Sequence, residues 1–154
     1  MKKLLISTLF FGLCSVQAYA DYIPQQKSVS AQAAQYSTMG IQDLIRAAKS
    51  GQAGAQFYLA TRYQAGKDIQ KDVKEAFTWF KAAADQGISS AQLNVGRMYA
   101  DGIGVSKSET SARQYFEKAA SHGDNRASFN LAVMEEQKKN YMGAYQWYEL
   151  STRD

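Results

Sequence analysis

The chain has 154 residues and a formal net charge of +4, from 18 Lys and Arg against 14 Asp and Glu. That length allows one domain or a short repeat array. Loss of residues 1–20, argued below, would remove Lys2 and Lys3 and leave 16 basic against 14 acidic residues, a net charge of +2. A nucleic-acid footprint needs Lys and Arg clustered on one face, so the composition argues against nucleic-acid binding.

Residues 1–20 have the order of a secretory signal peptide. Two lysines are followed by an apolar stretch that begins at Leu4 and by an Ala-x-Ala sequence that ends at Ala20. The apolar stretch is shorter than the roughly 20 residues that span a bilayer. We therefore predict cleavage after Ala20, no permanent membrane anchor, and a periplasmic or secreted location.

Cys14 is the only cysteine, and it lies inside the predicted signal peptide. A lipoprotein signal would attach lipid to it, but Leu13 stands where such signals have Gly or Ala, so cleavage without lipidation is favoured. The mature chain would have no cysteine, and its stability would come from packing rather than disulfides. Subtracting 20 residues from 154 leaves 134, which is enough for a packed core.

Residues 21–39 are rich in Gln, Ser and Ala and contain the only proline. We interpret this segment as a flexible leader with a helical tendency around Ala31–Tyr36. Gln-rich segments sometimes bind partners, but a spacer is the favoured interpretation.

From Gly40 onward the sequence repeats with a period of 36 residues. The clearest matches are Ala55 with Ala91 and Ala127, Leu59 with Val95 and Leu131, Tyr63 with Tyr99, and Trp79-Phe80 with Tyr115-Phe116. Periods of about 20 to 50 residues are typical of solenoid proteins. The sequence therefore predicts an all-α fold, a short solenoid with a half repeat over 40–51 and repeats over 52–87, 88–123 and 124–154.

Each repeat contains two helical patterns, helix A and helix B. Ala55, Leu59 and Tyr63 share one face of the first helix A, and the first helix B has an equivalent stripe that begins at Ala76. Glycines stand where the helices should end, at Gly51, Gly66, Gly87, Gly102 and Gly123. Two helix starts have the spacing of a capping box, Asp72 with Glu75 and Ser89 with Gln92.

Small residues recur at one position of helix A, as Ala60, Gly96 and Ala132. They predict a close approach between neighbouring helices, with tyrosine and tryptophan side chains filling the space around it. A leucine at position 96 would overpack this contact. Alanine is expected to be neutral or mildly stabilising there if space allows, because glycine is a poor helix former.

The third repeat departs from the first two. Its helix A is predicted at about Arg126–Lys138, and Ala144 arrives four residues earlier than the period requires, so the connector between its helices is shortened. Glu135 also replaces the tyrosine found at the equivalent positions of the other repeats. Atypical terminal repeats are expected in solenoids.

These motifs resemble the Sel-one-like repeat, which is related to the tetratricopeptide repeat. Its pattern is A-x-x-L-G-x-x-Y, then G-x-G-V, then K-A-x-x-W-[YF]-x-x-A-A-x-x-G. The second repeat matches best, with Leu93-Asn94-Val95-Gly96, Met98-Tyr99, Gly102-Ile103-Gly104-Val105 and Ala119-Ala120. The first departs at Ala60, Lys67-Asp68 and Glu75. The resemblance covers residues 40–151 and implies a right-handed superhelix that acts as a protein-binding adaptor.

No combination of residues in the sequence is typical of a catalytic, cofactor or metal site. His122 is the only histidine, and we interpret it as a cap at the end of a helix B, where the helix dipole favours a cation. Glu135 and Glu136 are adjacent and would point about 100° apart on a helix, so a solvated pair is favoured over an acid and base. We therefore predict that the chain is not an enzyme and has no cofactor.

The predicted binding surface is the concave face of the solenoid, lined by the helix A positions outside the packing stripe. The candidate residues are Tyr58, Thr61, Gln64, Asn94, Arg97, Asp101, Asn130 and Glu136. Their mixture of aromatic, amide and charged groups suits a peptide or loop of a protein partner.

The last helical pattern carries more aromatic residues than a capping helix needs. Tyr141, Tyr145 and Trp147 predict an interface with a second copy, as a homodimer, or with the partner. An alternative is that Trp147 belongs to the core and the leader folds back over this edge.

Three functions are compatible with this sequence. An exported adaptor for one protein partner is favoured. An immunity protein that neutralises an envelope-acting antibacterial toxin is the alternative, because exported Sel-one-like proteins resemble such proteins. A hydrolase or β-lactam-binding enzyme is disfavoured, because the sequence has no nucleophile paired with a base and lacks the cysteines of the β-lactam-binding relatives.

Overall fold

The computed structural model describes residues 33–152, so the predicted signal peptide and most of the leader lie outside the described residues. The chain divides into two units, and the second begins at Met39. Residues 33–38, in the first unit, are helical. Within the described part of the chain, no helix is long and apolar enough to cross a membrane.

Residues 41–151 form seven helices and no strand, which confirms the all-α prediction. The helices are α1 (Ile41–Lys49), α2 (Ala53–Ala65), α3 (Val73–Asp85), α4 (Ser89–Asp101), α5 (Glu109–Ser121), α6 (Asn125–Gln137) and α7 (Tyr141–Ser151). Each helix packs mainly against its neighbours in the sequence. The pairs α2/α3, α4/α5 and α6/α7 are helices A and B of the three repeats, and α1 is the helix B of the half repeat.

Polar side chains start several of the helices, but only one of the two predicted capping boxes does so. Asp72 precedes α3, and its carboxylate accepts from the backbone N–H groups of Lys74 and Glu75 at 2.9 and 3.1 Å. Ser89 is instead the first residue of α4, and Ile88 precedes it without a side-chain cap. The prediction for Ser89 was wrong because the helix begins one residue earlier than the spacing indicated, with Ile88 in the N-cap position.

Glycines end the first two A helices in the same way. Gly66 and Gly102 both follow the helix with φ of 71°, a left-handed conformation that favours glycine. The connectors 66–72 and 102–108 have seven residues each, whereas 138–140 has three. The predicted shortening of the third connector by four residues is therefore present.

The core is built from small residues on facing helices with large side chains between them. Phe80 and Phe116 are the largest fully buried side chains. Gly96 lies against the Phe116 ring, so the predicted close contact is present. The space on which a tolerated alanine depended is absent, because a Cβ at position 96 would stand 2.5 Å from Phe116 Cε1.

Aromatic residues connect successive repeats, as the sequence predicted. Phe77 on α3 meets Tyr99 on α4 edge to face, with ring centroids 5.2 Å apart. Tyr99 in turn stacks on Tyr115 at 5.8 Å. One repeat later, Arg113 and Glu135 occupy the positions of Phe77 and Tyr99 and form an ion pair instead.

Candidate protein-binding groove

The first helices of the second and third repeats, α4 and α6, flank a cavity of about 380 Å³, here called the α4–α6 groove. Three predicted residues, Arg97, Asp101 and Asn130, line it. The remaining lining residues are Ala100, Lys107, Glu109, Phe116, Val133, Met134 and Gln137. The groove exists because α4 and α6 both pack on α5, which separates them in the sequence.

The floor of the groove is apolar and its rim carries both charges. Phe116 and Met134 are buried beneath it. Arg97 and Asp101 are exposed on α4. Across the rim, Glu109 forms an ion pair with Lys138 at 2.6 Å, and the hydrogen bond from that lysine lowers the pKa of Glu109 below its usual range. This surface offers apolar contact together with donors and acceptors.

Asn94 and Asn130 occupy the same position in successive repeats and are held in the same way. The Asn94 amide donates to the carbonyl of Ser90 at 2.8 Å, and the Asn130 amide donates to that of Arg126 at 2.9 Å. Each bond uses one of the two N–H groups of the amide and leaves its carbonyl oxygen out of the bond. Both side chains are thereby oriented before any partner arrives.

Arg97 also borders a second cavity, of about 270 Å³, lined by Asn125, Arg126, Phe129 and Ser151. Arg126 is held by the buried carboxylate of Asp124, to which it donates at 2.7 Å. The same hydrogen bond raises the pKa of Arg126. Arg97 therefore lies between two separate cavities, the α4–α6 groove and this smaller one.

The other predicted residues lie elsewhere on the array. Thr61 and Gln64 are on α2, at the positions that Arg97 and Ala100 occupy on α4. Tyr58 is half-buried on the same helix, at the position of Asn94. Glu136 is exposed on α6 and accepts a hydrogen bond from the Tyr148 hydroxyl at 3.1 Å, so it faces α7.

The sequence analysis missed a pair of buried glutamines at equivalent positions. Gln56 and Gln92 are 7% and 3% exposed, and their amides donate to the carbonyls of Ala48 and Ala84 at 3.3 and 3.2 Å. Each glutamine joins a helix A to the helix B before it. The signal that could have identified them is the 36-residue spacing of both partners.

His122 is the C-cap residue of α5, as predicted, and its backbone N–H donates to the carbonyl of Ala119 at 3.1 Å. Its ring extends the Gln92 contact, with Nδ1 lying 3.0 Å from Oε1 of Gln92. Because the glutamine Nε2 donates to a carbonyl, Oε1 must accept, and Nδ1 must carry the proton. In the preceding repeat the Gln86 amide donates to Gln56 in the same arrangement, at 2.7 Å.

A further cavity, of about 560 Å³, was also not predicted. It lies between α1, α2, α3 and their connectors and is lined by Ile45, Lys49, Leu59, Tyr63, Ile69, Gln70, Lys71, Asp72, Glu75 and Trp79. In the next repeat Lys81 stands at the position of Ile45. Hydrogen bonds to Asp85 and Tyr115 raise the pKa of this lysine. The half repeat has the aliphatic Ile45 at this position in place of the lysine.

The C-terminal helix exposes two of its three predicted interface residues. Tyr141 and Tyr145 are 66% and 60% exposed. Trp147 is half-buried and packs against the core cluster that contains Phe116 and Leu131. It therefore contributes to the core.

Across the part of the chain that the structure covers, no group of three or more His, Cys, Asp or Glu side chains could hold a metal ion. The charged groups of the α4–α6 groove are distributed around a rim and do not converge on one point. This geometry suits binding over an extended surface.

The fold and groove define a class of protein, the all-α repeat solenoid. The Sel1 repeat family model matches residues 53–88, 89–124 and 126–153. The chain therefore belongs to the Sel1 repeat family, as the Sel-one-like resemblance indicated. Sel1 repeats are protein–protein interaction modules.

Two solved structures are similar. A Sel1 repeat protein from Oxalobacter formigenes shares 36% identity, with a TM-score of 0.63, over 71% of this chain and 86% of that one. The protein c5321, a protective antigen of uropathogenic Escherichia coli with an SLR fold, shares 26% identity with a TM-score of 0.72. The match covers 82% of this chain but 32% of the antigen. No curated protein matches the sequence.

Proposed function

We propose that this protein is an exported adaptor that binds a peptide or loop of one protein partner in the α4–α6 groove. The observation that carries the proposal is that Arg97, Asp101 and Asn130 all line one cavity with a buried apolar floor. Concave surfaces of stacked helix pairs are the usual binding surfaces of solenoids.

The groove fits a polypeptide better than a small molecule. It is an open channel with both charges on its rim, whereas small-molecule sites are mostly apolar and enclose their ligand. The oriented amides of Asn94 and Asn130 can accept from and donate to peptide groups of a partner. Export is part of the proposal and depends on residues 1–20, which have the order of a signal peptide.

Affinity capture from the native cell envelope, followed by mass spectrometry, tests the proposal. The baits are the wild type, Arg97→Glu, and Lys74→Glu as the matched control. Lys74 is exposed on α3, outside the groove lining, and its replacement reverses the same charge. Arg97→Glu should capture at least tenfold less of the partner than the wild type, because one charge reversal in a binding site costs more than about 1.4 kcal/mol. Lys74→Glu should capture as much as the wild type.

Circular dichroism must show equal helicity for the three baits. If the wild type and Arg97→Glu capture the partner equally and Lys74→Glu loses it, the partner does not bind in the α4–α6 groove. The identity of the partner separates the two binding roles. A toxin active in the envelope would identify an immunity protein, and the same Arg97→Glu change should then abolish its neutralisation.

A further inference from the structure

Four exposed apolar side chains on α6 and α7 are here called the tyrosine face. Its members are Phe129, Tyr141, Met142 and Tyr145, which are 51%, 66%, 72% and 60% exposed. The three residues of α7 lie within about 100° of each other around the helix axis. Phe129 of α6 reaches the same surface through Tyr148, whose ring centroid is 5.6 Å away.

Tyr145 occupies the position through which α3 and α5 contact the following repeat. Its equivalent on α3 is Phe77, which meets Tyr99 on α4 at 5.2 Å between ring centroids. Its equivalent on α5 is Arg113, which forms an ion pair with Glu135 on α6. Tyr145 therefore lies on the surface of α7 that the fold uses for packing.

Tyr141 also occupies a position through which α3 and α5 contact the following repeat. Its equivalent on α3 is Val73, whose carbonyl lies so close to Gly104 of the next repeat that a Cβ there would be 2.2 Å away. Its equivalent on α5 is Glu109, which forms an ion pair with Lys138 in the connector after α6. In α7 both repeat-contacting positions are tyrosines, and no described residue covers them.

The area of the tyrosine face matches one side of a standard protein interface. At about 200 Å² for each fully exposed side chain, the four residues present roughly 500 Å² of apolar-rich surface. Interfaces are roughly 60% apolar, so the full contact would be about 800 Å² per partner, which is the usual size. A monomer that exposes a patch of this extent is at the upper end of what is normal.

The charges at the two ends of α7 favour a second copy of this chain as the occupant. Lys139 precedes the helix and forms no ion pair within the described residues. Glu149 lies near its C-terminal end and accepts a hydrogen bond from Tyr145. The two charges are five residues on either side of Ala144. Antiparallel pairing of two α7 helices about this point places each lysine near the glutamate of the other copy, and it also opposes the two helix dipoles.

We propose that the protein forms a two-fold symmetric homodimer in which the tyrosine faces of two copies pack together, α7 against α7. The interface is isologous, so one patch is complementary to itself and the assembly closes at two chains. This proposal does not depend on the α4–α6 groove or on its partner.

Sedimentation equilibrium of the purified protein alone, from about 1 to 300 µM, tests it, since this range brackets micromolar dissociation constants. The mass should rise from one chain toward two. Tyr145→Ser should raise the dissociation constant at least tenfold. Leu150→Ser is the matched control, because Leu150 is also exposed on α7, at 40%, but lies about 140° away around the helix. This control should dimerise like the wild type.

A charge exchange tests the antiparallel arrangement. Lys139→Glu and Glu149→Lys should each weaken the dimer, and the protein with both changes should regain most of the lost affinity. Thermal unfolding of every variant checks that the repeat array is intact. The proposal is overturned by a single-chain mass for the wild type at every concentration, or by equal dissociation constants for the wild type and Tyr145→Ser.

Discussion

Substitution of Gly96 by alanine should destabilise the protein, although alanine is the better helix former. A Cβ at this position would stand 2.5 Å from Cε1 and 2.6 Å from Cδ1 of Phe116. Ordinary carbon contacts are about 3.5 to 4.0 Å, so the ring would have to retreat by about 1 Å. Phe116 is 2% exposed and packs in one core cluster with Leu93 and Leu131, so a shift of its ring disturbs their packing.

The magnitude follows from two opposing terms. Overpacking of a well-packed core costs about 1 to 3 kcal/mol, and the rigidity around Phe116 places this site toward the upper end. Replacing a mid-helix glycine by alanine contributes about 1 kcal/mol in the other direction. We expect a net loss of about 1 to 2 kcal/mol, which lowers Tm by roughly 4 to 8 °C in an array of this size. Thermal and urea unfolding measure this loss.

Two controls separate the clash from other effects. Ala60 stands at the equivalent position of α2 and already carries a Cβ, so Ala60→Gly should lose about 1 kcal/mol. In a Phe116→Leu background, the cost of Gly96→Ala should fall, since the two sites are in contact. A Gly96→Ala protein as stable as the wild type, or more stable, would refute the reasoning.

Three further predictions address the buried hydrogen bond of Gln92, the ion pair of Glu135 and export. Gln92→Leu should cost about 1 to 3 kcal/mol of unfolding free energy in urea titrations, because it leaves a buried carbonyl without its donor. Hydrogen bonds from Asn140 and Arg113 lower the pKa of Glu135 below 4.5, so its stabilising effect is present above that pH and is lost as the pH falls through the lowered value. The stability difference between the wild type and Glu135→Gln should therefore shrink as the pH falls through the lowered pKa of Glu135, and a constant difference across acidic pH would contradict this. N-terminal sequencing of exported protein should begin at Asp21, and retention of the initiator methionine would contradict cleavage.

Most of the fold could be predicted from the repeat period, because the apolar faces of the helices and the glycines that end them both recur with it. The sequence could not predict whether alanine fits at position 96, because the available space depends on the position of the Phe116 ring. It also missed that Gln92 is buried, since glutamine is normally exposed and only the backbone carbonyl it reaches explains its burial.

Part of the candidate site could also be predicted from the helix period. The helix period placed Arg97 and Asn130 outside the packing stripe, and both line the α4–α6 groove. Glu136 satisfies the same pattern but faces α7, because the short third connector brings Tyr148 within 3.1 Å of it. The 560 Å³ cavity lined by Ile45, Tyr63 and Trp79 was not predicted, because it depends on how α1, α2 and α3 pack together.

Site-specific photo-crosslinking in cells that naturally make the protein tests the central claim most directly. A photoreactive residue is placed at Arg97 or Asn130, in the α4–α6 groove, and at Thr78, which is exposed on α3, as the control. The account predicts one protein adduct from both groove positions and none from Thr78. Adducts from Thr78 alone, with none from the groove, would contradict it.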